Sequence, residues 1–144
     1  MAVQRRFNCS PEQVFAVLRD GWTYPLWVVG ASRIRDVDEG WPAPGSKLHH
    51  SFGIWPLVID DSTEVLDIQP GQRLVLEARG WPVGKARVEI TVKADTDGSL
   101  VSIDEDVTEG PARLVPQQVR QAGIDVRNRE TLRRLAYLAE GRDD

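Results

Sequence analysis

Between Ala31 and Val107 apolar and polar residues alternate in short runs, and a Gly or Pro closes nearly every run. Successive side chains of a strand point to opposite faces, so alternation predicts strands with one face in a core and one in water. The clearest case sets Ala86, Val88, Ile90, Val92 and Ala94 against Lys85, Arg87, Glu89, Thr91 and Lys93. By the same reading, strands are expected at Ser32–Asp38, Lys47–Ile54, Asp61–Ile68, Arg73–Arg79, Ala86–Ala94 and Leu100–Thr108. The breaks between them fall at Gly40 to Gly45, Trp55-Pro56, Pro70-Gly71, Gly80 to Gly84 and Asp97-Gly98. Such spacing with turn residues at each break predicts an antiparallel meander.

The two ends of the chain read differently. Ala2 to Phe7 is a short strand, and Ser10-Pro11-Glu12-Gln13 then starts a helix: Ser10 caps it, Pro11 suits its first position, and Gln13 can reach back. Val14, Val17 and Leu18 give this helix an apolar face, Asp20-Gly21 ends it, and Trp22 to Trp27 forms a short irregular or helical connection. After Gly110-Pro111 apolar residues recur at helical spacing. Val115, Val119, Ala122 and Val126 form a stripe that Leu132, Leu135 and Ala139 continue with some drift. Gly123 within this helix marks a kink or a close approach, and Glu130 can pair with Arg133 or Arg134.

Composition narrows the function classes. The chain has 144 residues, 41% hydrophobic and 28% charged, which suits one domain over residues 1–144. A net charge of -4 argues against nonspecific nucleic-acid binding, which clustered Lys and Arg would carry. The single Cys9 excludes an intramolecular disulfide and a thiolate metal cage. The longest uncharged runs, Gly21 to Ser32 and Leu48 to Ile59, are too short to span a bilayer, and no stable membrane insertion is expected. Met-Ala-Val-Gln-Arg-Arg carries no apolar signal region, so a cytoplasmic monomer or homodimer is expected. There is no Gly-x-Ser-x-Gly elbow and no phosphate loop. What stands out is the aromatic set: 5 Trp, with 2 Tyr and 3 Phe.

One strand, two short helical pieces, six meandering strands and a long C-terminal helix make an unusual order. With Ser10-Pro11-Glu12-Gln13-Val14-Phe15, Trp22 through Trp27, Thr63-Glu64-Val65 before Pro70-Gly71, and Asn128-Arg129-Glu130-Thr131-Leu132-Arg133-Arg134-Leu135, it resembles the START-like or SRPBCC superfamily of polyketide cyclase/dehydrase-like proteins. The resemblance covers essentially the whole chain. It implies an α+β helix-grip fold: a seven-stranded curved antiparallel sheet wrapped around the long C-terminal helix, with two short helices between the first two strands. It also implies a cavity between sheet and helix for a lipid, sterol, polyketide or other apolar ligand. No cofactor is expected.

Parity adds a result of its own. Successive hairpins of a meander lie at alternating ends of the sheet. Trp55-Pro56 and Trp81-Pro82 therefore share one end with the start of the long helix and the Trp22–Trp27 segment, while Trp41 sits at the other. Where the resemblance holds, that shared end carries the cavity entrance. Trp55, Trp81, Trp22 and Trp27 either line this mouth or plug it as core, with core favoured for Trp22 and Trp27.

Few residues offer chemistry. His49 and His50 point to opposite faces, so they cannot chelate one metal, and no metal site is expected. Leu48, His50, Phe52 and Ile54 share the apolar face, as do Val101, Ile103, Glu105 and Val107. An inward Glu105 needs a partner, and His50 or an Arg could supply it. His50 and Glu105 are thus weak acid–base candidates, with a hydrogen-bonded core His and a structural ion pair as the alternatives. The expected ligand wall is Trp55, Trp81, Trp27, His50, Phe52, Val119 and Ala122. Arg79, Arg87 and Arg113 could meet a ligand carboxylate but read more simply as solvated charges, and Asn128 or Arg129 could turn inward. The leading expectation is binding of a small hydrophobic or amphipathic ligand; the alternative is a polyketide cyclase, aromatase or dehydratase using His50 and Glu105. A chaperone-activating interaction module would need an apolar outer sheet face, which Lys85, Arg87, Glu89 and Lys93 oppose.

Overall fold

Ser10 and Gln13 cap the first helix reciprocally. The Ser10 hydroxyl accepts from the Gln13 amide at 3.3 Å, and the Gln13 side chain accepts from the Ser10 amide at 3.1 Å. The structure, a computed structural model, describes residues 2–29, 31–52, 59–80 and 84–141, with the backbone alone at 31–33, 52, 59–60 and 80. Strand β1 (Ala2–Phe7) leads to helix α1 (Pro11–Arg19), a 3-10 turn at Gly21–Thr23 and helix α2 (Tyr24–Trp27). The meander follows as β2 (Ala31–Val37), β3 (Lys47–Phe52), β4 (Ile59–Gln69), β5 (Arg73–Gly80), β6 (Gly84–Asp95) and β7 (Gly98–Glu109). A second 3-10 turn, Pro111–Leu114, precedes helix α3 (Gln117–Glu140). No helix among the described residues is long and apolar enough to cross a membrane.

The seven strands form one sheet in the order β1-β7-β6-β5-β4-β3-β2, antiparallel throughout. With the helices gathered on it, this is the helix-grip arrangement. The register puts the Phe52–Ile59 and Gly80–Gly84 pairs at one end of the sheet, beside Glu109, and the Gln69–Arg73 and Asp95–Gly98 pairs at the other. Trp55 and Trp81 lie outside the described residues, as does the side chain of Phe52. Gly84 has a φ of +125°, and a Cβ there would run into the backbone of Glu109. Position 84, where β6 begins, is therefore closed to other residues.

The inner face of the sheet carries the core. Leu48, Val65, Leu74, Leu76, Ile90, Val92, Val101 and Ile103 are buried, and Phe7, Phe15, Leu18, Leu132 and Leu135 pack with them. Each such side chain contributes about 1.5–3 kcal/mol by leaving water. Trp41 sits at the edge of this core, its Nε1–H bonded to the Leu18 carbonyl at 3.1 Å, as a structural cap would. Trp22 departs from its expected burial: it is 58% exposed. The buried member of its 3-10 turn is Gly21, because any Cβ at that position would strike Leu48 and Val37.

The larger correction concerns α3. Val119 and Val126 are 64% and 63% exposed, and Val115 and Ala122 are exposed as well. The buried residues are Gln121, Asp125, Asn128, Thr131, Leu132, Leu135, Ala136 and Ala139. At 3.6 residues per turn, Val126 lies about 120° around the helix from Leu132, so the two apolar runs occupy different faces. Val119 and Ala122 therefore face away from the sheet and do not form the expected wall. Gly123 has open space around it, so no close approach explains it. Glu130 does pair with both Arg133, at 2.9 Å, and Arg134, at 3.2 Å.

Candidate functional site

The sheet's inner face and α3 part where the helix becomes polar, and a cavity opens between them. Its apolar wall comes from Leu76 and Ala78 of β5, Val88 and Ile90 of β6, Ile103 of β7, and Trp27 of α2. Tyr24, Thr63, Glu105, Arg127, Asn128 and Thr131 add polar groups. The cavity volume is about 50 Å3. That is room for a few waters and small beside the ~300–1,000 Å3 of clefts that hold drug-sized ligands.

Alternation along β7 brings Glu105 inward, where it is 7% exposed. A buried carboxylate must be met by donors, and the inner face of α3 supplies them. Asn128 donates to Oε1 at 3.2 Å, Arg127 donates to Oε2 in a salt bridge, and Gln121 donates to the backbone carbonyl of Glu105 at 3.1 Å. The partner of Glu105 is therefore an arginine, one of the two expected kinds. Of the two mid-helix candidates, Asn128 turns inward and Arg129 is exposed.

His50 belongs to a separate group. It is wholly buried, its Nε2 lies 2.7 Å from Thr63 Oγ1, and its ring stacks on Tyr24 at 5.5 Å with the planes 7° apart. Tyr24 Oη shares a hydrogen bond with the same Thr63 hydroxyl at 3.3 Å. Burial pushes the His50 pKa down to about 4 and that of Tyr24 up to about 12. Both are neutral at physiological pH. Tyr24 and Thr63 line the cavity whereas His50 stands behind them, so the expected pairing of His50 with Glu105 is replaced by two clusters. Tyr24 lies between them, in contact with His50 and close enough to feel the charge of Glu105.

The remaining candidates have structural partners. His49 turns to the opposite face and meets Asp38 at 3.0 Å. Arg79 lies 4.0 Å from Asp61, Arg87 lies 3.5 Å from Glu89, and Arg113 donates to the Val107 carbonyl at 3.0 Å. Cys9 is buried, and its carbonyl accepts from the Ser99 hydroxyl at 2.8 Å. Among the described residues no three His, Cys, Asp or Glu side chains gather to hold a metal.

Tyr24, Thr63 and Arg127 were not read from the sequence as site residues. A signal did exist for α3. Counted back from Ala139 at helical spacing, the buried face runs through Leu135 and Leu132 to Asn128, Asp125 and Gln121, and these last three are polar. A polar inner face opposite an inward Glu105 marks a built polar pocket.

Comparison with known proteins agrees with this fold. The chain belongs to the polyketide cyclase / dehydrase and lipid transport family, whose model matches residues 1–140. No curated protein matches it by sequence. Among solved structures, protein CV1439 from Chromobacterium violaceum superposes with a TM-score of 0.72 at 19% identity, covering 99% of this chain and 98% of that one. Ara h 8.0201 gives 0.73 at 13% identity, covering 99% and 97%. The di-domain aromatase/cyclase StfQ from the steffimycin biosynthetic pathway gives 0.74 at 10% identity, covering 97% of this chain and 50% of that one. At these identities the likeness is one of fold.

Proposed function

We propose that this member of the polyketide cyclase / dehydrase and lipid transport family binds a small amphipathic molecule in the cavity between sheet and α3. The observation that carries the proposal is the cavity's polarity. An apolar wall of Leu76, Ala78, Val88, Ile90 and Ile103 shares the cavity with the Glu105, Arg127 and Asn128 cluster. Such a space favours a ligand with both apolar and polar parts, and Trp27 supplies a large flat contact. Glu105 serves as a fixed acceptor that holds Arg127 and Asn128 in place. His50 acts behind the wall by orienting Thr63. Trp55, Trp81 and Phe52 are further contacts proposed for ligands longer than the cavity.

The test is thermal unfolding with a panel of single-ring aromatic ketones, aromatic acids and short fatty acids, run in parallel on Ala78→Phe. A ligand at about one hundred times its Kd stabilises the folded state by about 2.7 kcal/mol, a rise of several degrees in Tm. The expected result is such a rise for members of the panel in the parent protein and none in the cavity-filling variant. No shift with any member, or equal shifts in both proteins, would contradict the proposal.

The second reading is a cyclase, aromatase or dehydratase acting on a polyketide-like substrate, supported by the family description and by the fold shared with StfQ. Under that reading the cavity would hold the substrate in a folded conformation, and Tyr24, Thr63 and Thr131, rather than His50, line it. His50 and Glu105 are a poor proton-moving pair, since one is neutral and covered and the other is held by two donors. Catalysis would therefore have to survive His50→Gln better than Tyr24→Phe.

A further inference from the structure

Strand β7 outlasts its neighbour at the edge of the sheet. β1 pairs with it only as far as Ala2 with Asp104. From Glu105 to Glu109 β7 therefore has β6 on one side and no strand on the other among the described residues. Side chains of the segment that follows bond to this stretch instead. Gln121 donates to the Glu105 carbonyl at 3.1 Å, and Arg113 donates to the Val107 carbonyl at 3.0 Å. Between them Arg120 donates to both carboxylate oxygens of Asp106, at 2.7 and 3.1 Å. The same guanidinium donates to the carbonyls of Arg113, at 3.3 Å, and Val115, at 2.9 Å. One side chain thus ties the segment before α3 to β7, one residue from the Glu105 that lines the cavity.

Little else holds that segment. No residue from Pro111 to Val119 is buried, and Leu114 is 87% exposed. A stretch without buried apolar contacts opens at small cost, and here the cost lies in bonds that Arg120 mostly supplies. A volume of about 50 Å3 admits a few waters, so a bulkier ligand needs part of the wall to move. The geometry points to Gly110–Val119 as a strap, latched by Arg120 onto Asp106, whose opening lets ligands into the cavity along the free edge of β7 beside Glu105. The inference rests on the proposed binding role for its ligand, whereas the opening itself does not depend on it.

The test compares the parent protein with Arg120→Met, which keeps the aliphatic stem, and Asp106→Asn, which removes the latch's charge. Amide hydrogen exchange is measured first. In the parent protein the Val115 and Arg120 amides should exchange at least about a hundredfold faster than those of Ile103 and Leu135, because the strap opens without the core. In Arg120→Met they should exchange about tenfold faster still, the worth of one charged hydrogen bond, with a smaller change in Asp106→Asn. Protection equal to that of the core in the parent protein overturns the inference, and so does exchange left unchanged by both variants. Acetophenone is then titrated, and its rates are read from NMR line shapes. Arg120→Met should raise the association and dissociation rates together, leaving Kd within about threefold. A strap that exchanges faster with both rates unchanged is not the way in, which overturns the inference and leaves binding intact. If acetophenone binds neither protein, the route fails together with the binding role. Should Arg120→Met not fold, Asp106→Asn decides, with smaller changes in the same directions.

Discussion

The two halves of α3 are one continuous helix with opposite duties. Toward the C-terminus, Leu132, Leu135, Ala136 and Ala139 are buried in the common core with β1 and α1. Toward the N-terminus the buried face is Gln121, Asp125 and Asn128, while Val119 and Val126 turn to solvent. The C-terminal half holds the fold and the N-terminal half builds a polar wall. A helix that buried apolar side chains along its whole length would close onto the sheet and leave no cavity. Giving up that contact near Glu105 keeps the space open and supplies the donors its carboxylate needs.

Substitutions can break this contrast. Leu135→Ala should cost about 2–5 kcal/mol in urea unfolding, since it empties a fully buried site in the anchoring half. A loss under about 1 kcal/mol would show that the C-terminal half is not the anchor.

Acid should act through the other side of the cavity. The His50 pKa is lowered from 6.5 to about 4 by burial, so the unfolded chain takes up a proton over this range and the folded protein does not. Stability contributed by a neutral, buried His50 is therefore fully present above about pH 6.5 and is lost as pH falls toward 4, by about 2–4 kcal/mol in all. Measured Tm should drop between about pH 7 and pH 4.5, and His50→Gln should flatten that part of the curve. An unchanged slope in the variant would remove His50 from the account.

Within the polar half, Glu105→Ala should cost about 1–3 kcal/mol, because Arg127 and Asn128 lose their shared acceptor. Arg127→Met should cost less, since the Arg127 side chain is partly exposed and Asn128 still serves the carboxylate. The double variant should be less destabilised than the sum of the two, which a double-mutant cycle will measure. The smallest effect is expected on the outer face. Val119→Ser and Val126→Ser should each change stability by less than about 0.5 kcal/mol, and a cost of about 2 kcal/mol or more would mean that this face is covered.

Much of the fold was legible because local signals agreed with one another. Gly or Pro stands at the breaks of the meander, Ser10 and Gln13 form their capping box, and the parity of Val101, Ile103 and Glu105 places the carboxylate inside. The site was less legible. In the sequence the apolar run from Val115 to Val126 outweighs the polar run by eye, and only the demand of Glu105 for donors, set by another element, makes the polar face of α3 the inner one. Trp22 and Trp27 look alike in sequence, because α2 has four residues and the turn before it three, too few for any period to assign a face. Thr63 is an ordinary strand residue until His50 and Tyr24 meet at its hydroxyl.

The most direct measurement is a methyl-resolved NMR titration of the protein with single-ring aromatic ketones. A ligand held between the sheet and the polar half of α3 should give saturable shifts at the methyls of Ile90, Ile103 and Val88, and none at Val119 and Val126. Saturable shifts at Val119 and Val126 with Ile90 and Ile103 unmoved would place binding on the outer face of α3 and contradict the cavity as the site.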